Sequence, residues 1–176
     1  ILLYQGEELG LPEAELSRNE LRDPVGDLYW PIAKGRDGAR TPMPWQADAA
    51  HLGFSNGAAW LPAAESHRPL AVDRQELDPK STLAFTRQMI TLRKASRALT
   101  HGAIEFLDTP EPILAFTRRH EGQAVACVFN MSGRTARAEH PALKGAEMLP
   151  VSSGAAEPLP GGLALSAYAC RFLKLP

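Results

Sequence analysis

The chain holds 176 residues, 44% hydrophobic and 22% charged, and its formal net charge is −1. That balance leaves no electrostatic footprint for nucleic acid or an anionic membrane, and no apolar run approaches the ~20 residues a helix needs to span a bilayer. Cys127 and Cys170 form neither a metal-ligand spacing nor a disulfide framework, so they read as reduced, buried thiols of a cytoplasmic protein.

The first element is Ile1-Leu2-Leu3-Tyr4, a short apolar run leading straight into Gln5-Gly6-Glu7-Glu8. This is the pattern of a buried strand over residues 1–5 that ends in a polar loop. No initiator methionine and no signal-peptide pattern precede it. A buried strand is a poor place for a natural chain to begin, and the expectation is a piece of a longer protein. Residues 6–77 sustain neither a helical nor a strand period. Loops of this length are functional or disordered. The large apolar groups of "LYWP" and "GFSNGAAWLP" argue for function, because disordered segments are poor in them.

A helix is expected over 79–99, with Asp78 as N-cap and Pro79 at the first helical position. Phe85, Met89 and Leu92 make an apolar stripe with Ile90 beside it, suited to packing on a sheet. Arg93, Lys94 and Arg97 gather at the end where cations suit the helix dipole, and His101-Gly102 closes it. One strand, an excursion and one helix form a single β/α unit, which cannot close a core without neighbouring strands. From residue 103 short runs alternate with turns: "AIEFLD", "PILAFTRR", "QAVACVFN", "TARAE", "AEMLPV", "GLALS" and "AYACRFLKL". Glu121-Gly122 and Ser132-Gly133 are the expected turns. Val125, Cys127 and Phe129 share one face by alternation, and Tyr168, Cys170 and Phe172 another. Six to eight such strands predict a small antiparallel sandwich. The fold class is α/β plus all-β, with domains at 1–100 and 101–176.

The chemistry concentrates in "GRDGARTPMPW", residues 35–45. Two arginines, Arg36 and Arg40, flank Asp37 in a loop stiffened by Pro42 and Pro44. A guanidinium offers five donors in a rigid fork and stays charged at any working pH. Asp37 reads as an acceptor for nearby backbone amides. Arg40 reads either as a ligand contact or, more simply, as an ion pair to Asp37 or Glu7. Trp45 and Trp60 read as packing residues. The five histidines are scattered and read as surface or loop residues.

Taken in order, "LLYQGEELGL", "KGRDGARTPMPW", "LGFSNGAAWLP" and "DPKSTLAFTRQMITLRK" resemble the end of an α-glucosidase of the α-amylase superfamily, glycoside hydrolase family 13. The exo-acting α-glucosidases and oligo-1,6-glucosidases are the nearest match. The resemblance covers residues 1 to about 100 densely and the remainder only by type. It implies the last β/α unit of a (β/α)8 barrel, with strand eight, its substrate loop and helix eight, followed by a C-terminal β-sandwich. It implies a retaining enzyme acting on terminal α-linked glucose of oligosaccharides or disaccharides, with no cofactor or metal. Retaining glycosidases use two carboxyl groups about 5–5.5 Å apart. The resemblance places that pair and a third, stabilising aspartate after barrel strands four, five and seven, upstream of Ile1. The chain alone is then expected to be inactive.

Glu7 and Glu8 do not replace them. Adjacent side chains on a strand face opposite ways, and a strand-end glutamate tied to a backbone or arginine partner is the simpler reading. The resemblance assigns Arg36 to the subsite for the terminal glucose, near an aspartate from an early barrel loop, with Arg40 as the second candidate. Trp30 becomes a candidate for the rim of the acceptor site. The short segment 11–34 looks more like bacterial α-glucosidases that accept small disaccharides or transfer glucose to alcohols. Two alternatives stand beside this: a transglycosylating relative such as a trehalose synthase, and a stand-alone carbohydrate-binding or interaction module.

Overall fold

The computed structural model describes residues 2–176. By packing, the chain divides into two compact units, Ile1–Thr86 and Arg87–Pro176. The break falls inside a helix, ahead of the boundary expected at residues 100 and 101. No helix among the described residues is long and apolar enough to cross a membrane.

The strand expected over residues 1–5 is not formed in residues 2–5, and residue 1 lies outside the described residues. Leu2 is 97% exposed, and no strand among the described residues pairs with the segment. A strand exists only through ladder bonds to neighbours, and the described residues offer none here. No barrel is present among them, since every strand lies in one of two antiparallel sheets of the second unit.

Residues 6–77 are mostly irregular, as expected, but contain short 3-10 turns and two small helices, α1 (Pro24–Tyr29) and α2 (Val72–Glu76). Asp23 caps α1 by accepting from the Val25 amide, with Pro24 at the first helical position. The same Asp-Pro signature at Asp78-Pro79 is only a turn. The following helix, α3, runs Thr82–Ala95. Its free amides are satisfied by other groups: Ser81 Oγ accepts from Ala84 at 3.1 Å and Gln75 Oε1 from Leu83 at 3.0 Å. Gln75 is buried, and its amide nitrogen Nε2 donates to the carbonyls of Leu9 and Leu70. One amide thus ties three segments together. At Ser96 the expected single helix breaks. The Ser96 hydroxyl accepts from Leu99 and starts a separate helix, α4 (Arg97–His101).

The second unit carries β1 (Ala103–Phe106), β2 (Ile113–His120), β3 (Gln123–Asn130), β4 (Ala136–Glu139), β5 (Glu147–Ser153), β6 (Ala156–Leu159), β7 (Gly162–Leu165) and β8 (Cys170–Lys174). The sheets have strand orders β1-β2-β3-β8-β5 and β4-β7-β6. Ile113, Ala115, Ala126, Val128 and Leu173 from the larger sheet share one apolar core with Ala138, Leu163 and Leu165 from the smaller. This is the expected sandwich. β6 escapes sequence reading because Pro158 interrupts it, and proline is tolerated there because β6 is an edge strand. Glu121 and Gly122 both have positive φ, 45° and 78°, as a two-residue hairpin turn requires.

Register corrects the face assignment. Cys127 pairs with Phe172 and Phe129 with Cys170, so all four lie on the outer face of one sheet. Tyr168 lies outside the strand, with φ 53°. Both thiols are free and buried, and burial pushes Cys127 up to about 12.

Candidate functional site

The loop around Arg36 is built on two buried carboxylates. The Asp23 carboxylate that caps α1 also reaches the "GRDG" segment. Its Oδ2 accepts from the Arg36 amide at 3.0 Å and from Arg36 Nε at 2.9 Å. Gly35 makes this approach possible. Its φ is 70°, and a Cβ there would lie 2.9 Å from the Gly26 amide and 3.0 Å from Asp23 Cβ. Asp37 Oδ2 accepts from the amides of Arg22 and Asp23, at 2.6 and 2.7 Å. Asp37 Oδ1 takes Arg40 Nη2 at 2.5 Å, and Arg40 Nη2 also sits 3.5 Å from Asp23 Oδ2. Two anions and two cations are therefore interlocked, and the loop's charge closes on itself.

The arrangement moves the carboxyl groups in a common direction. The Arg36 guanidinium bonded to Asp23, followed by the Val25 amide, lowers the Asp23 pKa to about 2. For Asp37, burial is the largest single influence and pushes upward. The amides of Asp23 and Arg22 and the Arg40 guanidinium outweigh it, so Asp37 also lies below the usual carboxylate range. Asp23 in turn holds Arg36 in its charged form.

The two arginines have different fates. Arg40 is two-thirds covered, paired with both carboxylates, and its guanidinium carbon lies 5.3 Å from the centre of the Trp60 ring. Arg36 uses only Nε on Asp23, and its side chain is 75% exposed. It lines a cavity of about 490 Å³ together with Tyr4, Glu7, Glu13, Leu11 and Met43. The ion-pair reading of Arg40 with Asp37 and the amide-accepting reading of Asp37 match these contacts. Glu7 accepts from the Tyr4 amide and Glu8 from the Gly6 amide, both in a 3-10 turn over Glu7–Leu9. These are the backbone partners expected of them.

Other aromatic and histidine side chains sit as follows. Trp30, the candidate rim residue, is partly buried and packs against the buried cluster of Leu16, Leu21 and Leu61. Trp45 and Trp60, read as packing residues, are 50% and 60% exposed. An indole holds both an apolar face and a polar edge, so residue type alone does not decide its side. His67, read as a surface or loop residue, lies in the loop region and is buried. Its Nε2 bonds the Pro12 carbonyl at 2.8 Å, while Nδ1 has no partner among the described residues. His101 and His120 stack with ring centres 5.4 Å apart. The only sequence signal at Asp23 is the proline that follows it, since Asp followed by Pro marks a helix N-terminus.

Comparison with known proteins gives this geometry a family. The α-amylase catalytic-domain model matches residues 1–102, and the maltogenic amylase C-terminal-domain model matches residues 104–172. A probable α-glucosidase of Rhizobium meliloti (strain 1021) is 44% identical over 175 residues, covering 99% of this chain and 31% of that protein. An oligo-1,6-glucosidase of Halalkalibacterium halodurans is 34% identical over 159 residues, covering 80% of this chain and 28% of that protein. The crystal structure of an α-glucosyl transfer enzyme, XgtA, superposes with a TM-score of 0.91 at 44% identity, over 99% of this chain and 32% of that one. The chain thus spans about a third of the length of the relatives it matches. It belongs to the α-amylase family, glycoside hydrolase family 13.

Proposed function

We propose that the chain is the C-terminal part of a retaining α-glucosidase that releases terminal α-linked glucose from small oligosaccharides. Residues 1–100 supply the end of the barrel with its substrate loop, and 101–176 the C-terminal domain. The catalytic acids are supplied upstream, the chain alone is inactive, and the enzyme is cytoplasmic.

One observation carries this reading. Asp23 fixes Arg36 through Nε and the main-chain amide, and the two terminal nitrogens make no hydrogen bond among the described residues. A donor fork with a buried anchor, exposed at a cavity wall, is prepared for an external acceptor. The cavity sets that fork beside the carboxylates of Glu7 and Glu13 and the apolar walls of Leu11 and Met43. Such a mixture of donors, acceptors and apolar surface suits a sugar, which alternates hydroxyls with C–H faces, better than it suits a phosphate. Arg40 serves the loop, since its charge is spent on Asp37 and Asp23.

The test is Arg36→Ala in the full-length protein that carries this chain. Losing a charge-assisted hydrogen bond to a sugar hydroxyl lowers kcat/KM on an α-glucoside by roughly 10- to 100-fold. Proton NMR of the first product should show the α-anomer. An unchanged kcat/KM removes Arg36 from the site, and a β-anomer removes the retaining mechanism. A second reading, glucosyl transfer to an acceptor other than water, is supported by the likeness to a named α-glucosyl transfer enzyme.

A further inference from the structure

We propose that Tyr168 is a second carbohydrate contact, a one-ring platform on the C-terminal sandwich that takes an internal glucose of an α-linked chain. The geometry argues for a sugar, and the choice of α-linked glucose rests on the glucosidase reading above.

The backbone at Tyr168 is the first observation. Its φ is 53°, in the left-handed region where glycine and asparagine are at ease and a bulky side chain is an outlier. Burial does not compensate, because the residue is 71% exposed. A turn that needed only this conformation would be better served by glycine. An aromatic residue held there with so little burial marks a position whose side chain acts on something outside the fold.

The second observation is that the position is locked. The Tyr168 amide donates to the Ser132 carbonyl at 3.0 Å. Ala169, next in the chain, is 1% exposed, donates to the Ser166 carbonyl and accepts from the Asn130 amide. Asn130 is buried between the two loops. Its Nδ2 donates to the carbonyls of Arg134, Leu165 and Ser166, and its Oδ1 accepts from the Ser132 amide and hydroxyl. Residues 130–134 and 165–169 thus form one frame. The Tyr168 ring lies against it at Gly133, where a Cβ would sit 3.3 Å from Oη and 3.8 Å from Cε2 and Cζ. The Tyr168 hydroxyl makes no hydrogen bond among the described residues.

The surface on offer has the size of one sugar. Met131 aside, the residues of the two loops are small or polar: Ser132, Gly133, Arg134, Ser166 and Ala167. A stable protein interface buries about 1,200–2,000 Å² around an apolar centre, and one exposed ring among such residues does not supply it. The ring does supply the flat face on which the C–H side of one pyranose stacks, and its open hydroxyl adds a partner for a sugar hydroxyl. Because the frame fixes the backbone before any ligand arrives, little ordering is left for binding to accomplish.

The experiment uses the full-length protein that carries this chain. The probe is β-cyclodextrin, a closed ring of α-linked glucose with no chain end for an exo-acting pocket to hold. Its Kd is measured by isothermal titration for wild type, Tyr168→Asn, Tyr168→Phe and Arg36→Ala, with Tm for each. Asparagine accepts the left-handed backbone and removes the ring. Tyr168→Asn is expected to weaken binding roughly two- to tenfold, with Tm and kcat/KM on an α-linked disaccharide unchanged. Tyr168→Phe keeps the ring and most of the affinity, and Arg36→Ala leaves the Kd where it was. A wild type that does not bind the probe overturns the platform, as does a Kd unmoved by Tyr168→Asn or binding that is lost in Arg36→Ala instead. A weaker Kd in step with a lower Tm in Tyr168→Asn also overturns it, because the ring is then a prop for the loops. The two readings fail separately. Tyr168-dependent binding in a protein inactive on α-glucosides removes the glucosidase and keeps the platform, and activity without such binding does the reverse.

Discussion

Residues 6–86 and residues 103–176 hold their shape with different materials. The second region is a sandwich whose interior is an unbroken apolar cluster running from Ile113 to Leu175. The first region has two small apolar clusters, one around Leu9, Met43 and Leu83 and one around Leu16, Leu21 and Leu61. Between them it relies on buried polar groups that each serve several partners: Asp23, Asp37, His67 and Gln75. The contrast follows from the backbone. Paired strands satisfy their own amides, so their side chains can be purely apolar. An irregular chain leaves amides unpaired, and buried side-chain acceptors must take their place. Groups oriented in this way are also those that can hold a ligand-binding side chain at a fixed angle.

Two probes separate the regions, because all three tryptophans, Trp30, Trp45 and Trp60, lie in the first and every strand among the described residues lies in the second. Tryptophan fluorescence reports the loop, and the far-ultraviolet strand signal reports the sandwich. The largest effect is expected from Leu165→Ala, a fully buried core residue of β7. It should cost about 2–5 kcal/mol in the strand-monitored transition. An equal shift in the tryptophan signal would mean that the two regions melt as one.

Gln75→Leu comes next. It removes the donor to Leu9 and Leu70 and the acceptor for Leu83, and should cost roughly 1–3 kcal/mol in the tryptophan-monitored transition. A loss confined to the strand signal would deny Gln75 its role as a tie in the first unit. The smallest effect at neutral pH is the acid sensitivity of the loop. The Asp23 pKa falls from 3.8 to about 2 on folding. A depressed folded pKa contributes stability that is complete above 3.8 and is lost as pH falls from there toward 2. Acid titration should therefore disturb the tryptophan signal within that window while the strand signal holds. In Asp23→Asn that part of the pH dependence should vanish. A sandwich that fails first in acid would overturn the comparison.

Legibility divides along the same line. In the sandwich, "QAVACVFN" and its neighbours announced themselves by alternation, and the Glu121-Gly122 turn by residue type. Only β6 was hidden, because Pro158 is a negative signal that edge position overrules. In the loop, the motif "GRDGARTPMPW" pointed to Arg36 and Arg40 and left Arg40 open between a ligand contact and an ion pair. Their shared anchor, Asp23, stands 13 residues before Arg36, and no local period links the two. The Asp-Pro pair shows the limit most clearly. At Asp23 it caps a helix, and at Asp78 it makes a turn, because Gln75 and Ser81 reach the helix amides first.

The sequence by itself determined the family, the order of elements in the second unit and the motif that holds the candidate site. These depend on spacing along the chain: the period of a strand, the residues of a turn, a run of characteristic side chains. Only the tertiary structure decided which arginine is spent and which is exposed, that Trp30 is packed and Trp60 is not, and that His67 and Gln75 are interior. Those outcomes depend on which groups are brought together from distant positions. A buried donor or acceptor takes whichever partner the fold delivers, and the order of residues along the chain does not name it.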